Sequence, residues 1–512
     1  MQAAQRAIFN TGITYTKTII TILISLFSTR LVINALGVED YGLFNVIGGL
    51  ISMLAFLNAA MTVSTQRYIS YNIGKDNIES TKKIIANSII LHFIIALILV
   101  IFIEGIGLYF LNYKLKIDSE RLSSANLVFH MVVASTFVSI ISVPYDAITN
   151  AHENMSFLAV ISIVESLLKL GIALCLFYVE SDKLIMYSFL TMVTAIVIRT
   201  IKRVYVRNKY RESHVNYRSE YDTHVIKQLI SFAGWNLFGT FSYIGRNQGL
   251  SVLFNIFYGT VINAAFGIAN QVAGQLIFFS AAMLQALNPQ IMKSEGAKDR
   301  DHMLKLAMKT CKFGFLLFAF IAIPCIAEMD IILTIWLKVV PKYTVTFCSL
   351  ILIGVMLNQL TVGFDSAIQA TGKIQRYMLI GGSIKLLIVP IAYFLLAYKF
   401  DIIYVFITYT ILEGVGGIVR VYVLRSQTRL SLKKYVKEVI FPVLPATIAG
   451  VGTSVFVTSY ANFDHRWVFT VSASVTIFIL VAYVTGLDKS EKNVLSKITA
   501  GLKLKAMRLS HQ

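Results

Sequence analysis

Charge is what this sequence has least of. Asp, Glu, Lys and Arg make up 14% of its 512 residues, against about 25% in a soluble globular protein, too little to coat a water-facing surface. Cysteine is sparse as well. Cys175, Cys311, Cys325 and Cys348 all lie within or beside apolar stretches and none forms a CxxC spacing, so neither a zinc site nor a disulfide framework is indicated. Enzyme signatures are missing. There is no GxxxxGK[ST], hence no Walker-type ATP site, and no HExxH or GxSxG. The longest polar stretches run only about 20–25 residues, short of the ~50 a soluble domain needs. The sequence therefore predicts no catalytic residue, no metal and no cofactor.

What fills the chain is apolar. It is 56% hydrophobic with a mean hydropathy of +0.70, and uninterrupted apolar runs long enough to cross a bilayer recur from end to end. The expected fold is an all-α polytopic membrane protein of about 14 transmembrane helices. The spans are placed at 11–36, 41–64, 84–111, 124–150, 157–179, 184–205, 226–257, 260–287, 311–338, 344–368, 376–398, 401–424, 437–460 and 466–486. The first apolar stretch, about Thr11–Ala35, exceeds a signal-peptide core and lacks a small-x-small cleavage site, so it is expected to remain as a helix.

The net charge of +19 reads as topology and not as affinity for nucleic acid. Of the 46 Lys and Arg residues, 32 fall in the termini and the even-numbered connections, 8 in the other connections and 6 inside spans. Basic residues resist translocation, so both termini are expected in the cytoplasm.

The chain also repeats itself. Residues 8–74 laid on 230–296 without a gap give 14 identities in 67 positions, among them Gly12, Gly37, Phe44, Ala59-Ala60-Met61 and Gly74 with Gly234, Gly259, Phe266, Ala281-Ala282-Met283 and Gly296. Further on, Asp146, Asn150 and Ala151 match Asp365, Gln369 and Ala370, and Arg203-Val-Tyr-Val matches Arg420-Val-Tyr-Val. The repeating unit holds six spans, an even number, so the copies enter from the same side and are related as parallel repeats. The expected organisation is a six-helix lobe at 1–210, a basic cytoplasmic linker at 211–225, a second six-helix lobe at 226–430, an added helix pair within 431–486 and a basic cytoplasmic tail at 487–512. That tail, with Lys489, Lys492, Lys497, Lys503, Lys505 and Arg508, reads either as a basic helix on the inner leaflet or as a docking site.

Charges inside apolar spans are costly and mark function or pairing. The cations are Lys17, Arg30, Lys169, Arg199, Arg246 and Lys385; the acids are Glu104, Asp146, Glu165, Glu328, Asp330, Asp365 and Glu413. Glu165 and Lys169 are spaced to pair with each other, Arg199 sits where it can snorkel, and Glu328 and Asp330 follow Pro324 at an expected helix break. His92 is expected to pack between helices. Lys17 and Arg30 lie on the first helix of one lobe and Arg246 on the first helix of the other, a cationic set suited to a phosphate or pyrophosphate. The plainer reading pairs Arg30 and Arg246 with Asp146, Glu413 or another buried acid. Asp146 and Asp365, at equivalent positions, read as inter-helix hydrogen bonding first and as gating or ion coupling second, with Glu413 and Lys385 further candidates for gating or coupling.

The stretch Leu36-Gly37-Val38-Glu39-Asp40-Tyr41-Gly42-Leu43-Phe44, with Arg30 before it, resembles the first periplasmic turn of bacterial polysaccharide transporters. These are the Wzx-type flippases of the multidrug/oligosaccharidyl-lipid/polysaccharide exporter superfamily. The likeness extends to the six-plus-six repeat, the two extra spans and the short loops. It implies MATE-like V-shaped lobes that work by alternating access in the bacterial cytoplasmic membrane. The cargo it implies is undecaprenyl-diphosphate-linked oligosaccharide, and its partners are membrane lipids, a polysaccharide polymerase and chain-length regulator proteins. Coupling to Na+ or H+ is open, since no ion site transfers by motif. A multidrug/cation antiporter of the same superfamily is the alternative; a membrane glycan polymerase or ligase fits less well, because every outer loop is short.

Overall fold

The computed structural model describes the backbone except at residues 1–2, 53–54, 114, 116, 462–464, 490, 494–495 and 497–512. Lys114, Lys116 and the tail cations from Lys497 onward lie outside the described residues. The described chain is helical and forms two contact units.

The N-terminal unit comprises Asn10–Leu237 with Met292–Lys298. It contains α1 (Ala3–Ser52), α2 (Ala55–Gly74), α3 (Ile78–Tyr113), α4 (Ser119–Ile140), α5 (Val143–Ala151), α6 (Met155–Cys175), α7 (Lys183–Lys209) and the start of α8 (Thr223–Tyr258). The C-terminal unit, Phe238–Ile291 and Asp299–Gln512 with Met1–Phe9, holds the rest of α8 and most of α9 (Thr260–Gly296). It continues with α10 (Arg300–Ala327), α11 (Met329–Leu337), α12 (Thr344–Gln359), α13 (Val362–Thr371), α14 (Gln375–Ala397), α15 (Ile402–Thr428), α16 (Leu432–Tyr435), α17 (Phe441–Tyr460) and α18 (Arg466–Val481).

The boundary between units falls inside α8, between Leu237 and Phe238. The basic segment before it is fastened to the N-terminal unit: Asn87 of α3 donates to the Glu220 carbonyl at 2.8 Å and accepts from the Asp222 amide at 2.9 Å, and Ser64 of α2 donates to the Leu229 carbonyl at 3.1 Å.

Eleven described helices are long and apolar enough to cross a membrane, twelve if α12 and α13, bent by 46° at their junction, count as one. The expected count of about fourteen is approximate by that measure. The shortfall is in the first pair of spans of each repeat. The second expected span, 41–64, crosses residues outside the description, and α2 beyond them is rich in Asn, Thr, Ser and Gln. The seventh is a 36-residue helix, α8, but Asn236, Thr240, Ser242, Arg246, Asn247 and Gln248 lower its hydropathy below that of a lipid-facing span.

The repeat is visible in the backbone. α4 stops at Ile140 and α5 restarts at Val143; α12 stops at Gln359 and α13 restarts at Val362. Gly37 inside α1 and Gly259 between α8 and α9 both adopt a positive φ, 83° and 79°, a conformation that costs glycine little and other residues more. The motif around Gly37 is also pinned by charge. Asp40 and Asp182 both bond Arg121, at 2.7 and 2.8 Å, joining α1 just past its Gly37 kink to the starts of α4 and α7. Glu165 and Lys169 pair at 2.7 Å. α10 ends at Ala327, just past Pro324, and Glu328 there is buried against Arg466 and Thr470 of α18. His92 is buried with Nδ1 on the Ser88 carbonyl at 2.7 Å, bound to its own helix.

The surface is apolar where a soluble protein's is polar. Side chains such as Phe27, Ile101, Ile256, Ile418 and Ile448 are exposed, while the ion pairs Arg246–Glu413 and Lys312–Glu491 lie inside, as expected where the surrounding solvent is hydrocarbon. The C-terminal unit is centred on stacked rings of Phe254, Phe347 and Phe406, with Phe347 and Phe406 centroids 3.9 Å apart.

Candidate functional site

One face of α15 carries Tyr409, Glu413, Gly416 and Arg420, spaced four, three and four residues apart, so all four share a helical stripe. One face of α14 carries Tyr377, Gly381 and Lys385 at four-residue intervals. Together with Arg246 from α8 and Asn358 from the end of α12, these side chains line a small cavity of ≈ 20 Å³ inside the C-terminal unit.

The polar groups form two linked clusters. In the first, Arg246, 4% exposed, donates through Nη1 to Glu413 Oε1. Its guanidinium lies 4.6 Å from the Tyr409 ring centre and 5.1 Å from that of Tyr243, within cation–π range. Glu413 Oε2 accepts from Asn358 Nδ2 at 2.9 Å. In the second, Arg420 donates through Nε to the Tyr377 hydroxyl at 3.0 Å and through Nη1 to Thr361 Oγ1 at 2.9 Å. Asp365, close enough to Tyr377 to act on it electrostatically, accepts through Oδ2 from Gln369 Nε2 at 2.9 Å. Lys385, between the clusters, has no ion-pair or hydrogen-bond partner among the described residues. The lining thus carries three cations, Arg246, Lys385 and Arg420, against one carboxylate, Glu413.

The sequence-predicted residues divide between the units. Arg246, Glu413, Lys385 and Asp365 come together in the C-terminal unit, and Arg246 has the Glu413 partner that its structural reading anticipates. Lys17 and Arg30 belong to the N-terminal unit: Lys17 is half-buried on α1 and Arg30 is exposed. Asp146 of α5 pairs with Lys202 of α7 at 2.8 Å, an inter-helix contact within the N-terminal unit. Sequence reasoning missed Arg420, Asn358, Tyr377 and Tyr409. Arg420 falls near the end of the expected span 401–424 and is not among the charges singled out there; its place in the repeated Arg-Val-Tyr-Val motif is the available signal. Among the described residues no three His, Cys, Asp or Glu are grouped to hold a metal ion.

No family model matches the sequence, and a search of curated proteins finds no match. Solved structures do match. A MATE transporter in its bent conformation aligns with a TM-score of 0.71 at 16% identity, over 84% of this chain and 96% of that one. An outward-facing multidrug resistance MATE family transporter of the MOP superfamily aligns with a TM-score of 0.68 at 16% identity, over 83% and 95%. A MOP superfamily transporter from Pyrococcus furiosus, described as having a binding pocket of reverse polarity that suggests a different function, aligns with a TM-score of 0.67 at 17% identity, over 83% and 95%. The chain has the MATE-like transporter fold.

Proposed function

We propose that this chain moves an anionic lipid-linked substrate, an undecaprenyl-diphosphate-linked oligosaccharide, across the bacterial cytoplasmic membrane by alternating access. It does so as a secondary transporter, with both termini in the cytoplasm. The observation that carries the reading is the charge of the cavity in the C-terminal unit, three cations against one carboxylate with Lys385 unpaired. In a low-dielectric site such an excess attracts phosphate oxygens and repels cationic drugs. Arg246 and Lys385 are the proposed head-group contacts of this unit, Lys17 and Arg30 those of the N-terminal unit, and Asp146 and Asp365 the inter-helix contacts that respond to gating. Arg30→Ala and Arg246→Ala are each expected to abolish glycan export while the protein still inserts. Full export by both variants overturns the assignment.

A second reading, a multidrug antiporter, has one observation in its favour: matching structures include multidrug MATE transporters. Efflux of cationic drugs that survives Lys385→Ala and is lost in Glu413→Gln would favour it.

A further inference from the structure

The Arg246–Glu413 pair is incomplete on the arginine side. Arg246 is 4% exposed, yet its Nε is buried without a hydrogen-bond partner. A buried guanidinium with an unused donor is costly, and Lys385 on the same cavity wall is unpaired as well. The unused donors therefore belong to cations, and a single carboxylate, Glu413, answers them. The cavity itself, ≈ 20 Å³, has room for about one water molecule. A tetrahedral oxyanion enters only if a resident group leaves.

We propose that Glu413 holds the place of the substrate's anionic oxygens. When an oxyanion of the phosphate class enters, it takes over Arg246 and Lys385, and Glu413 leaves the pair and takes up one proton from solution. The only bond formed is O–H on the carboxylate; Arg246 and Lys385 keep their protons. This deepens the anion-transport reading and rests on it, and it supplies what that reading lacks, a step at which proton movement and cargo binding are tied together.

The surroundings of Glu413 support the exchange. Arg246 faces it from α8, Lys385 and Tyr377 from α14, and Tyr409 and Arg420 lie along its own helix, while Asp365 on α13 stands near Tyr377 outside the lining. Asn358 from α12 bonds its other oxygen. Every charge on the cavity wall other than Glu413 is positive, so the carboxylate that an incoming anion meets on Arg246 is Glu413. Ionised beside that anion, Glu413 would be repelled from the site; protonated, it adds no charge and its hydroxyl becomes a donor.

The test uses the full-length protein in detergent micelles and inorganic sulfate, a tetrahedral dianion that keeps its charge across the pH range used. Titration calorimetry in two buffers of different ionisation heat counts protons. About one proton is expected to enter per sulfate bound, with affinity rising about tenfold for each unit fall in pH. Glu413→Gln is expected to abolish the uptake, to bind sulfate more tightly than the wild type at neutral pH, and to lose the pH dependence; Lys385→Met is expected to lose binding. Sulfate binding to the wild type without proton uptake, or a Glu413→Gln protein that binds no tighter and keeps the pH dependence, overturns the exchange and leaves the anion reading standing. Failure of sulfate to bind either protein overturns both. The proton count on the wild type needs no variant and decides the matter even if Glu413→Gln does not fold.

Discussion

Gly74 and Gly296 are packed reciprocally within the N-terminal unit. A Cβ on Gly74 would fall 2.0 Å from the Lys293 carbonyl oxygen, and a Cβ on Gly296 would fall 2.0 Å from the Tyr71 carbonyl oxygen. Each pair of numbers differs by the 222-residue offset of the internal repeat, so the ends of α2 and α9 meet through a two-fold contact that only glycine permits. Lys293, beside it, is tied to Glu153 at 2.7 Å.

Alanine at either glycine must displace backbone. Gly74→Ala and Gly296→Ala are each expected to destabilise this conformation by about 1–3 kcal/mol or more, read as a lower unfolding temperature in detergent. Gly42→Ala, where the added Cβ meets nothing within 4 Å, is the control and is expected to be neutral.

The added helix pair is held by charge. Glu328, with its side chain 1% exposed, accepts from Arg466 Nε and Nη2, each at 3.1 Å, and from Thr470 Oγ1 at 2.6 Å. Arg466→Ala leaves a buried carboxylate without its cation and is expected to cost about 3–5 kcal/mol. Glu328→Gln, which leaves Arg466 partly exposed and neutralises the buried partner, is expected to cost less. Paired thermal melts rank the two; the reverse order would contradict the assignment.

His152 and Glu212 give a pH dependence. His152 Nε2 is hydrogen-bonded to Glu212 Oε1, and the His152 ring stacks on Tyr210 with centroids 4.1 Å apart. Burial raises the Glu212 carboxyl, but the His152 hydrogen bond and its own backbone outweigh it and hold the group below its usual 4.5. A depressed folded-state value means stability that is present above the unfolded value and lost as pH falls through the folded one. The stability gap between wild type and Glu212→Gln is therefore expected to be full near neutrality and to close below the ordinary glutamate range. A gap that widens on acidification would contradict this.

The sequence carried the fold through periodicity and repetition. The cavity was half legible. Arg246, Lys385, Glu413 and Asp365 stood out because a charge in an apolar run is conspicuous. Arg420, two turns before the C-terminal end of α15, stands among the basic residues that close that helix, and Tyr377 and Tyr409 look like interface tyrosines, because a single sequence does not say which helix face turns inward. Hydropathy is least decisive where helices are polar: α8 spends its middle on Asn, Thr, Ser and Arg, one of which, Arg246, lines the cavity.

Flipping itself is the most direct test of the account. Purified protein is placed in liposomes carrying labelled undecaprenyl-diphosphate oligosaccharide on one leaflet, and a membrane-impermeant glycosidase on the other side reports arrival of the sugar. Protein-dependent access in the wild type, lost in Arg246→Ala and in Lys385→Ala variants that still fold and insert, is the predicted result. Access that neither substitution slows, or no access with matched glycans while cationic drugs are moved, would contradict it.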